Sequence, residues 1–436
     1  MRCDILKENF QRGTDMKIKV TEKTYDEVLA LPREKHLKPK RPARFFRWLM
    51  KTLGAGDLKD TAFTYTEVGM EKLGVNEPCL YLMNHSCFID LELVSKILYP
   101  KPFNIVCTSD GFVGKSGLMR AIGCIPTRKF ITDMALVKDM VYALHTLKDS
   151  VLMYPEASYS FDGTATPLPE SLGKCLKMLK VPVVMIKTEG AFARDPLYNN
   201  LQKRKVHVSA EMKYLLSPEE IAEKSAEELN EILTREFTFD NFRWQQENDI
   251  SVIEEFRADF LNRVLYKCPH CNVEGKMRGK GIEIRGEACG KGYELTEKGY
   301  LKAEQTENRF THIPDWYAWE RACVRKELED KTYRLDVPVE IHMMVDTKSI
   351  YKVGTGRLIH TADGFSLEGC DGKLQYSQKP SASYSLYSDY FWYELGDMIC
   401  IGNADALYYC FPTEGGDVVA KTRLAAEELY KLNRKK

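Results

Sequence analysis

Short apolar runs alternate with amphipathic stretches between about residues 60 and 215. The apolar runs have the length of strands, and the stretches between them repeat apolar positions at helical spacing. This alternation predicts an α/β domain whose ligand chemistry lies in loops beyond the strand ends. The predicted strands are Phe63–Val68, Cys79–Met83, Phe103–Thr108, Val151–Tyr154, Val181–Lys187 and Val206–Leu215, and the predicted helices are Leu91–Leu98, Lys115–Ile122, Thr132–Leu147 and Glu170–Lys180.

The pattern becomes helical after this domain. Residues 216–265 predict two helices, Glu219–Arg235 and Ile250–Leu265. Ser217 opens the first of them, because Ser-Pro-Glu-Glu is a capping box with proline at the first helical position.

Short alternating strands return near the end of the chain. Residues 335–436 predict about seven of them, separated by turn sequences and followed by an amphipathic helix, Val418–Leu432. Seven strands capped by a terminal helix resemble the pleckstrin-homology barrel. The alternative is a plain antiparallel accessory domain with no ligand.

Near the start of the chain, a strongly basic stretch at residues 33–51 ends in aromatic and aliphatic residues. A helix that begins at Pro42 would place Phe45, Trp48 and Leu49 on one side, with cationic residues elsewhere around it. This arrangement suits a helix that lies in a membrane interface. The alternative is an ordinary amphipathic helix packed on its domain.

Composition narrows the possible partners and compartments. Lys+Arg 63 equals Asp+Glu 63, so no global charge attracts nucleic acid or an anionic membrane, and we expect no nucleic-acid partner. Thirteen cysteines without a signal peptide indicate reduced thiols in the cytoplasm. The longest apolar runs are too short to span a bilayer. A lipid substrate would therefore place the protein peripherally, on the inner face of the cell membrane.

The main chemical motif follows the second predicted strand. Asn84-His85-Ser86-Cys87-Phe88-Ile89-Asp90 joins that strand to the next helix. The His-x4-Asp spacing lets the Asp90 carboxylate hold one nitrogen of His85 as N–H, which frees the other nitrogen to accept a proton. The alternative is a helix cap beside a histidine of the core.

Two further loops carry polar side chains that suit a substrate. Arg128 and Lys129 follow a helix and a short turn, and a guanidinium in a fixed loop suits a phosphate. Glu156 leaves the end of another strand, where it could orient a substrate hydroxyl or close the site against Arg128. The competing explanations are a solvated cation pair and a structural carboxylate.

Four stretches together resemble the four sequence blocks of the glycerolipid acyltransferase family, which contains the 1-acylglycerol-3-phosphate acyltransferases. In chain order they are Asn84 to Asp90, Gly123 to Arg128, Tyr154 to Ser160 and Val181-Pro182-Val183. The resemblance implies transfer of a fatty acyl group from acyl-CoA or acyl-carrier protein to a lysophospholipid hydroxyl. It makes His85 the general base and Asp90 its orienting carboxylate.

The resemblance also implies the substrate contacts and the absence of a catalytic cofactor. Attack would be direct, without an acyl-enzyme, and a Cys87–His85 nucleophile is the minor alternative. The implied substrate-binding residues are Asn84, Arg128, Lys129, Glu156, Ser158 and Tyr159. The third block departs from the family, which usually has Glu-Gly-Thr-Arg. This chain has Tyr159 in place of the arginine that helps to hold the acceptor phosphate, so a different lysolipid headgroup is a second possibility.

A further motif, Cys268-Pro269-His270-Cys271, is similar to one knuckle of a zinc ribbon. Its partner knuckle has Cys289 but Gly286 where a second cysteine is expected. His270 or the more remote His312 could supply a fourth ligand. Either a structural zinc ion is bound or the metal has been lost and the hairpin persists through packing.

The sequence thus predicts a mixed α/β acyltransferase-like sheet with flanking helices, a small zinc-ribbon-like hairpin and a C-terminal antiparallel, pleckstrin-homology-like domain. The leading alternative is a catalytically inactive protein that binds a lipid or protein partner. The predicted divisions are residues 1–58 (membrane-contact helices), 59–215 (acyltransferase domain), 216–265 (helical segment), 266–300 (zinc-ribbon-like hairpin) and 335–436 (C-terminal domain).

Overall fold

The strands and helices below are those of a computed structural model, which describes residues 17–131, 133–304 and 307–434. In chain order the strands are β1 (Val20–Glu22), β2 (Thr64–Val68), β3 (Leu80–Met83), β4 (Phe103–Thr108), β5 (Cys124–Thr127), β6 (Ser150–Met153), β7 (Val183–Glu189), β8 (Ser209–Leu216), β9 (Met277–Lys280), β10 (Glu283–Gly286), β11 (Gly292–Leu295), β12 (Leu301–Ala303), β13 (Leu335–Met344), β14 (Ile350–Thr361), β15 (Gly364–Gly369), β16 (Leu374–Gln378), β17 (Tyr387–Trp392), β18 (Gly396–Gly402) and β19 (Leu407–Pro412).

The helices include several of only one or two turns. They are α1 (Tyr25–Leu29), α2 (Arg44–Leu53), α3 (Ala55–Asp60), α4 (Asp90–Leu98), α5 (Ser116–Ala121), α6 (Met134–Val141), α7 (Leu172–Leu179), α8 (Ala191–Arg194), α9 (Pro218–Glu223), α10 (Ala226–Phe237), α11 (Asn241–Glu247), α12 (Ile313–Glu329) and α13 (Val419–Arg434). A π-helical segment, Tyr142–Leu147, continues α6, and Thr132, the first residue of the predicted helix there, lies outside the described residues.

A seven-stranded mixed sheet forms the centre of the first half of the chain, in the order β2-β8-β7-β3-β6-β4-β5. Its inner strands are parallel, whereas β8 runs antiparallel to β7. Apolar clusters cover both faces of the sheet. The α/β fold that the sequence predicted is confirmed, and β5, read as a turn in the sequence, adds a strand at one edge.

The strand order determines which loops meet. β3 lies beside β6, with Leu82 opposite Met153, so the loops that follow these strands emerge side by side. β5 lies three strands away from β3, which corresponds to about 14 Å at the usual strand spacing. The first and third sequence blocks are therefore neighbours, and the second block is farther away.

A second sheet has the strand order β16-β15-β14-β13-β19-β18-β17 and is antiparallel throughout this path. These are the seven predicted strands, and the predicted terminal helix follows as α13. β1 adds to this sheet, because Val20 pairs with Ile350 in a parallel register that the sequence did not indicate. The likeness to the pleckstrin-homology barrel stays a prediction.

The ribbon-like segment forms a small antiparallel sheet, β12-β11-β10-β9, that shares a core with its surroundings. One apolar cluster contains Ile284 of this sheet, Trp316 of α12, Leu358 of the C-terminal sheet and Phe192 of the first half. The predicted divisions of the chain are therefore joined by common packing. The sequence assigned no element to α12, which lies between two of these divisions.

The two helices predicted after residue 216 differ from those observed. Glu219–Arg235 is two helices, because Ser225 caps α10 by accepting from the backbone N–H of Glu228 at 3.1 Å. The prediction of a helix at Ile250–Leu265 is wrong beyond the short 3₁₀ turn Leu261–Arg263. Backbone N–H groups there donate to other segments, such as that of Ala258 to the Gly281 oxygen at 2.8 Å. Short local turns and tertiary hydrogen bonds together take the place of the helical ones.

None of the helices among the described residues is long and apolar enough to cross a membrane. Every cysteine in the same residues is a free thiol.

Candidate active site

The histidine and aspartate of the first block form a hydrogen-bonded pair. β3 ends at Met83 and α4 begins at Asp90, so the loop between them folds back over the start of the helix. His85 Nδ1 lies 3.0 Å from Asp90 Oδ2. The same oxygen accepts the backbone N–H groups of Ser86 at 2.8 Å and Cys87 at 3.2 Å. The fixed carboxylate favours the tautomer with a proton on Nδ1, which leaves Nε2 as a proton acceptor.

Two tyrosine rings enclose the imidazole of His85. The ring of Tyr154 stacks on it at 4.0 Å between centroids, and that of Tyr159 lies at 4.4 Å. The side chain of His85 remains 21% exposed. Burial lowers the pKa of His85 below its ordinary 6.5, Asp90 raises it, and the charge of Lys129 lowers it further. The imidazole is therefore neutral near pH 7, as a general base requires.

Glu156 connects the third block to the first. Its Oε2 accepts the backbone N–H of His85 at 2.9 Å, and its Oε1 accepts the backbone N–H of Thr166 at 2.8 Å. Burial raises the pKa of Glu156 to about 7, although these hydrogen bonds lower it. Both oxygens are thus engaged within the protein, and no ion pair joins Glu156 to Arg128 in the described chain. Glu156 positions the loop that carries the histidine.

Asn84 connects the ends of β3 and β7. Its Oδ1 accepts the backbone N–H of Thr188 at 2.8 Å, and its Nδ2 donates to the Thr188 carbonyl oxygen at 3.1 Å. The side chain of Asn84 is fully buried, so in this conformation it supports the first-block loop from inside the protein.

The third block turns sharply and receives a cation from the end of the chain. Ala157 adopts φ +56°, a left-handed conformation that glycine adopts more readily. Ser158 Oγ accepts from Nη2 of Arg423, in α13, at 2.9 Å. The guanidinium of Arg423 lies 4.3 Å from the ring centroid of Phe161, and its Nη1 has no hydrogen-bond partner among the described residues. A guanidinium thus reaches the block in which Tyr159 replaces the family's arginine.

The two predicted cations of the second block face different surroundings. Arg128 follows β5 and lines a cavity of about 300 Å³ beside Asp346 of the C-terminal sheet. Lys129 Nζ lies 4.3 Å from the ring centroid of Tyr387, and its charge acts on His85. Of the two, Lys129 is the cation that influences the imidazole.

The C-terminal sheet contributes side chains that sequence reasoning missed. Tyr387 donates to Asp110 Oδ2 at 2.5 Å, and Trp392 Nε1 donates to the same oxygen at 3.3 Å. Burial raises the pKa of Asp389 to about 7, while Lys129 lowers it. Tyr387, Asp389 and Trp392 lie more than 250 positions from the first block, and no local motif marks them.

Among the described residues, the cysteine nearest the histidine in sequence is not an activated nucleophile. The Cys87 thiol is fully buried and donates to the Ala191 oxygen at 3.0 Å. Burial raises the pKa of Cys87 well above its ordinary value, which keeps the sulfur as an unreactive thiol. The geometry therefore disfavours the cysteine–histidine alternative.

A cavity of about 410 Å³ opens beside the first-block loop. Ser86 lies on one wall, and Lys187, Arg243 and Trp244 lie on others. The loop that carries His85 is thus next to open space lined by two cations, an aromatic surface and the carboxylates of Glu189, Asp240 and Glu247.

Three cysteines of the ribbon-like segment cluster away from the histidine. The sulfur atoms of Cys268, Cys271 and Cys289 all lie within 4.8 Å of one another. His270 does not belong to this group, and the Nε2 of His312 lies 2.7 Å from Asp240 Oδ2. The two histidines considered as a fourth ligand are therefore not in place.

Comparisons with known proteins match one part of the chain to a family model. Residues 65–187 match the family model described as Acyltransferase. A search of curated proteins gave no match. One similar solved structure is the 1-acyl-sn-glycerophosphate (LPA) acyltransferase PlsC from Thermotoga maritima, with 15% identity, a TM-score of 0.36, and coverage of 44% of this chain and 76% of that one.

The protonation state of His85 tests the geometry without any substrate. We expect NMR of histidine-labelled protein to give a pKa for His85 below 6.5, because burial penalises the charged imidazole. The Asp90→Asn variant should lower this pKa further, since it removes the charge that raises it. The His85→Gln variant assigns the resonance. A value at or above 6.5 in the wild-type protein would show that the site is not arranged as described.

Proposed function

Because residues 65–187 form an acyltransferase-family domain, we propose that the protein transfers a fatty acyl group from an acyl thioester to a lysophospholipid hydroxyl. The donor is acyl-CoA or acyl-carrier protein, and the acceptor is 1-acylglycerol-3-phosphate or a related lysolipid. One observation carries this proposal: His85 Nδ1 lies 3.0 Å from a carboxylate that is itself held by two backbone N–H groups.

The proposed reaction uses His85 as a shuttle for one proton. Nε2 takes the proton of the acceptor hydroxyl as its oxygen attacks the thioester carbonyl carbon. Asp90 stabilises the imidazolium that forms. When the tetrahedral intermediate collapses, the carbon–sulfur bond breaks and the imidazolium returns the proton to the leaving thiolate. The ester and the free thiol are the products, and no acyl-enzyme or metal is required.

The cationic side chains near His85 are relevant to the headgroup of the acceptor. Lys129 is close enough for its charge to lower the pKa of His85, which supports a role in attracting an anionic headgroup. The third block lacks the family's arginine and has Tyr159 instead. Arg423 approaches that block but binds Ser158 and pairs with Glu427 at 3.2 Å. We therefore extend the acceptor class beyond a bare glycerol phosphate.

A second candidate function is binding without catalysis. Tyr154 and Tyr159 cover much of the imidazole, and a protein that only holds a lipid would tolerate that burial. The intact His85–Asp90 pair favours the enzyme, because a binding protein has no use for an oriented proton acceptor.

Membrane contact through α2 is part of the proposal. Phe45 is 52% exposed and Trp48 is 48% exposed, and these rings lie 6.1 Å apart on the outer side of the helix. Met50 faces the core, so the helix is attached by its other side. Exposed aromatic rings among basic residues suit an anionic lipid surface. The proposed location is cytoplasmic and peripheral, on the inner membrane face.

Replacement of the base tests the proposed reaction. We expect His85→Gln to lower kcat by about 100-fold or more, because the hydroxyl loses its proton acceptor. Thiol release should be followed with acyl-CoA and with acyl-carrier protein against a panel of lysolipids. His207→Gln is the matched control, since this exposed histidine lies in the same domain.

The panel separates the alternatives. Stimulation by one lysolipid identifies the acceptor. If every acceptor leaves thiol release unchanged in the wild-type protein while lysolipids still bind, the binding function is correct and the enzyme proposal fails.

Vesicle binding tests the role of α2. The double variant Phe45→Ser/Trp48→Ser should bind anionic vesicles about tenfold or more weakly in cosedimentation. The reason is that the variant lacks the two aromatic rings that would insert into the membrane interface. Val75→Ser is the control, as another exposed apolar residue outside the helix. Equal binding by the double variant and the wild-type protein would rule out this surface.

A further inference from the structure

Two turns of the ribbon-like segment have the same backbone geometry. In the first turn, the N–H of Asn272 donates to the Cys268 oxygen at 2.9 Å, and Asn272 adopts φ +60°. In the second, the N–H of Gly290 donates to the Gly286 oxygen at 2.8 Å, and Gly290 adopts φ +70°. Each turn thus spans five residues and ends in a left-handed residue.

The cysteines occupy matching places in these turns. Cys271 and Cys289 each stand three residues after the start of their turn. Cys268 stands at the start of the first turn, and Gly286 stands at the start of the second. Three corners of a four-cornered site therefore carry thiols, and the fourth corner carries no side chain.

The distances suit a metal ion. Zinc binds thiolates at about 2.3 Å, which separates tetrahedral sulfur ligands by about 3.8 Å. The Sγ atoms of Cys268 and Cys289 lie 3.6 Å apart, and all three sulfurs lie within 4.8 Å. A Cβ atom on Gly286 would lie 3.1 Å and 3.3 Å from the sulfurs of Cys268 and Cys289 and 3.5 Å from the buried Met277 sulfur, so that corner faces the same centre.

We propose that Cys268, Cys271 and Cys289 bind a zinc ion whose fourth ligand, at the corner left by Gly286, comes from solvent. Binding replaces the thiol protons, which pass to solvent, with bonds from the thiolates to the ion. The charge of three thiolates exceeds that of the ion by one unit. Arg309 Nη1 donates to the Pro269 oxygen inside the first turn, so its guanidinium brings a positive charge next to the thiolates.

The role of the ion is structural. It connects the first turn to the end of β10, two segments that are otherwise joined through the antiparallel pairing of β9 with β10. The start of the first turn also contacts α12. Trp316 Nε1 donates to the Lys267 oxygen at 3.0 Å, and Glu320 accepts the Lys267 N–H at 2.8 Å. Loss of the ion should therefore loosen the ribbon-like segment against α12.

Metal content and affinity test the proposal independently of any enzyme activity. Full-length protein purified under reducing conditions should carry about one zinc ion per chain by elemental analysis. Cys289→Ser should lose most of the metal. Cys175→Ser, a partly exposed thiol outside the cluster, should keep it and serves as the control. Metal-free wild-type protein should melt at a lower temperature, and added zinc should restore the original melting temperature.

A gain of affinity tests the geometry of the fourth corner. Gly286→Cys should lower the zinc Kd by about tenfold or more in chelator competition, because it completes a four-thiolate site. The backbone of Gly286 lies outside the left-handed region, but an added Cβ requires the Cys268 and Cys289 sulfurs to shift slightly, and Gly286→Ser controls for this added bulk. Absence of zinc from the wild-type protein, even after supplementation, would overturn the proposal. Equal Kd values for Gly286→Cys and Gly286→Ser would overturn the placement of the open corner.

Discussion

The arrangement of the site depends on where the Asp90 carboxylate is held. It lies at the first residue of a helix, beyond the end of a buried strand, and one of its oxygens accepts three N–H groups. Two of these come from the backbone, so the carboxylate is fixed before it contacts the imidazole. Glu156 holds the backbone of His85 from the other side. An oriented histidine follows from this loop geometry rather than from the histidine itself.

Residues from the C-terminal part of the chain contact the acyltransferase domain near the candidate site. The terminal helix reaches the third block through Arg423, and the C-terminal sheet binds Asp110 through Tyr387 and Trp392. A single apolar cluster runs through the ribbon-like segment, α12 and the C-terminal sheet. The environment of the imidazole is thus set partly by residues from the last fifth of the chain.

Sequence reasoning succeeded where the signal was local. The alternation of apolar and polar residues predicted six of the seven strands of the central sheet and the seven C-terminal strands, and the His-x4-Asp spacing predicted the hydrogen-bonded pair. It failed where partners are distant in sequence. Ile250–Leu265 has apolar spacing typical of a helix, yet its backbone bonds to the ribbon-like sheet. The placement of Arg128 away from the imidazole depends on strand order, which no local pattern records. Arg423 and Ser158 are 265 positions apart in the chain, and no local sequence pattern indicates their contact.

The central claim is that His85 and Asp90 act as one unit, and a double-mutant cycle measures this most directly. The rates of acyl transfer should be compared for His85→Gln, Asp90→Asn and the double variant. If the carboxylate works only through the imidazole, the double variant should have the same kcat/KM as His85→Gln, within about threefold. Losses that multiply in the double variant would show that the two residues act independently and would contradict the account.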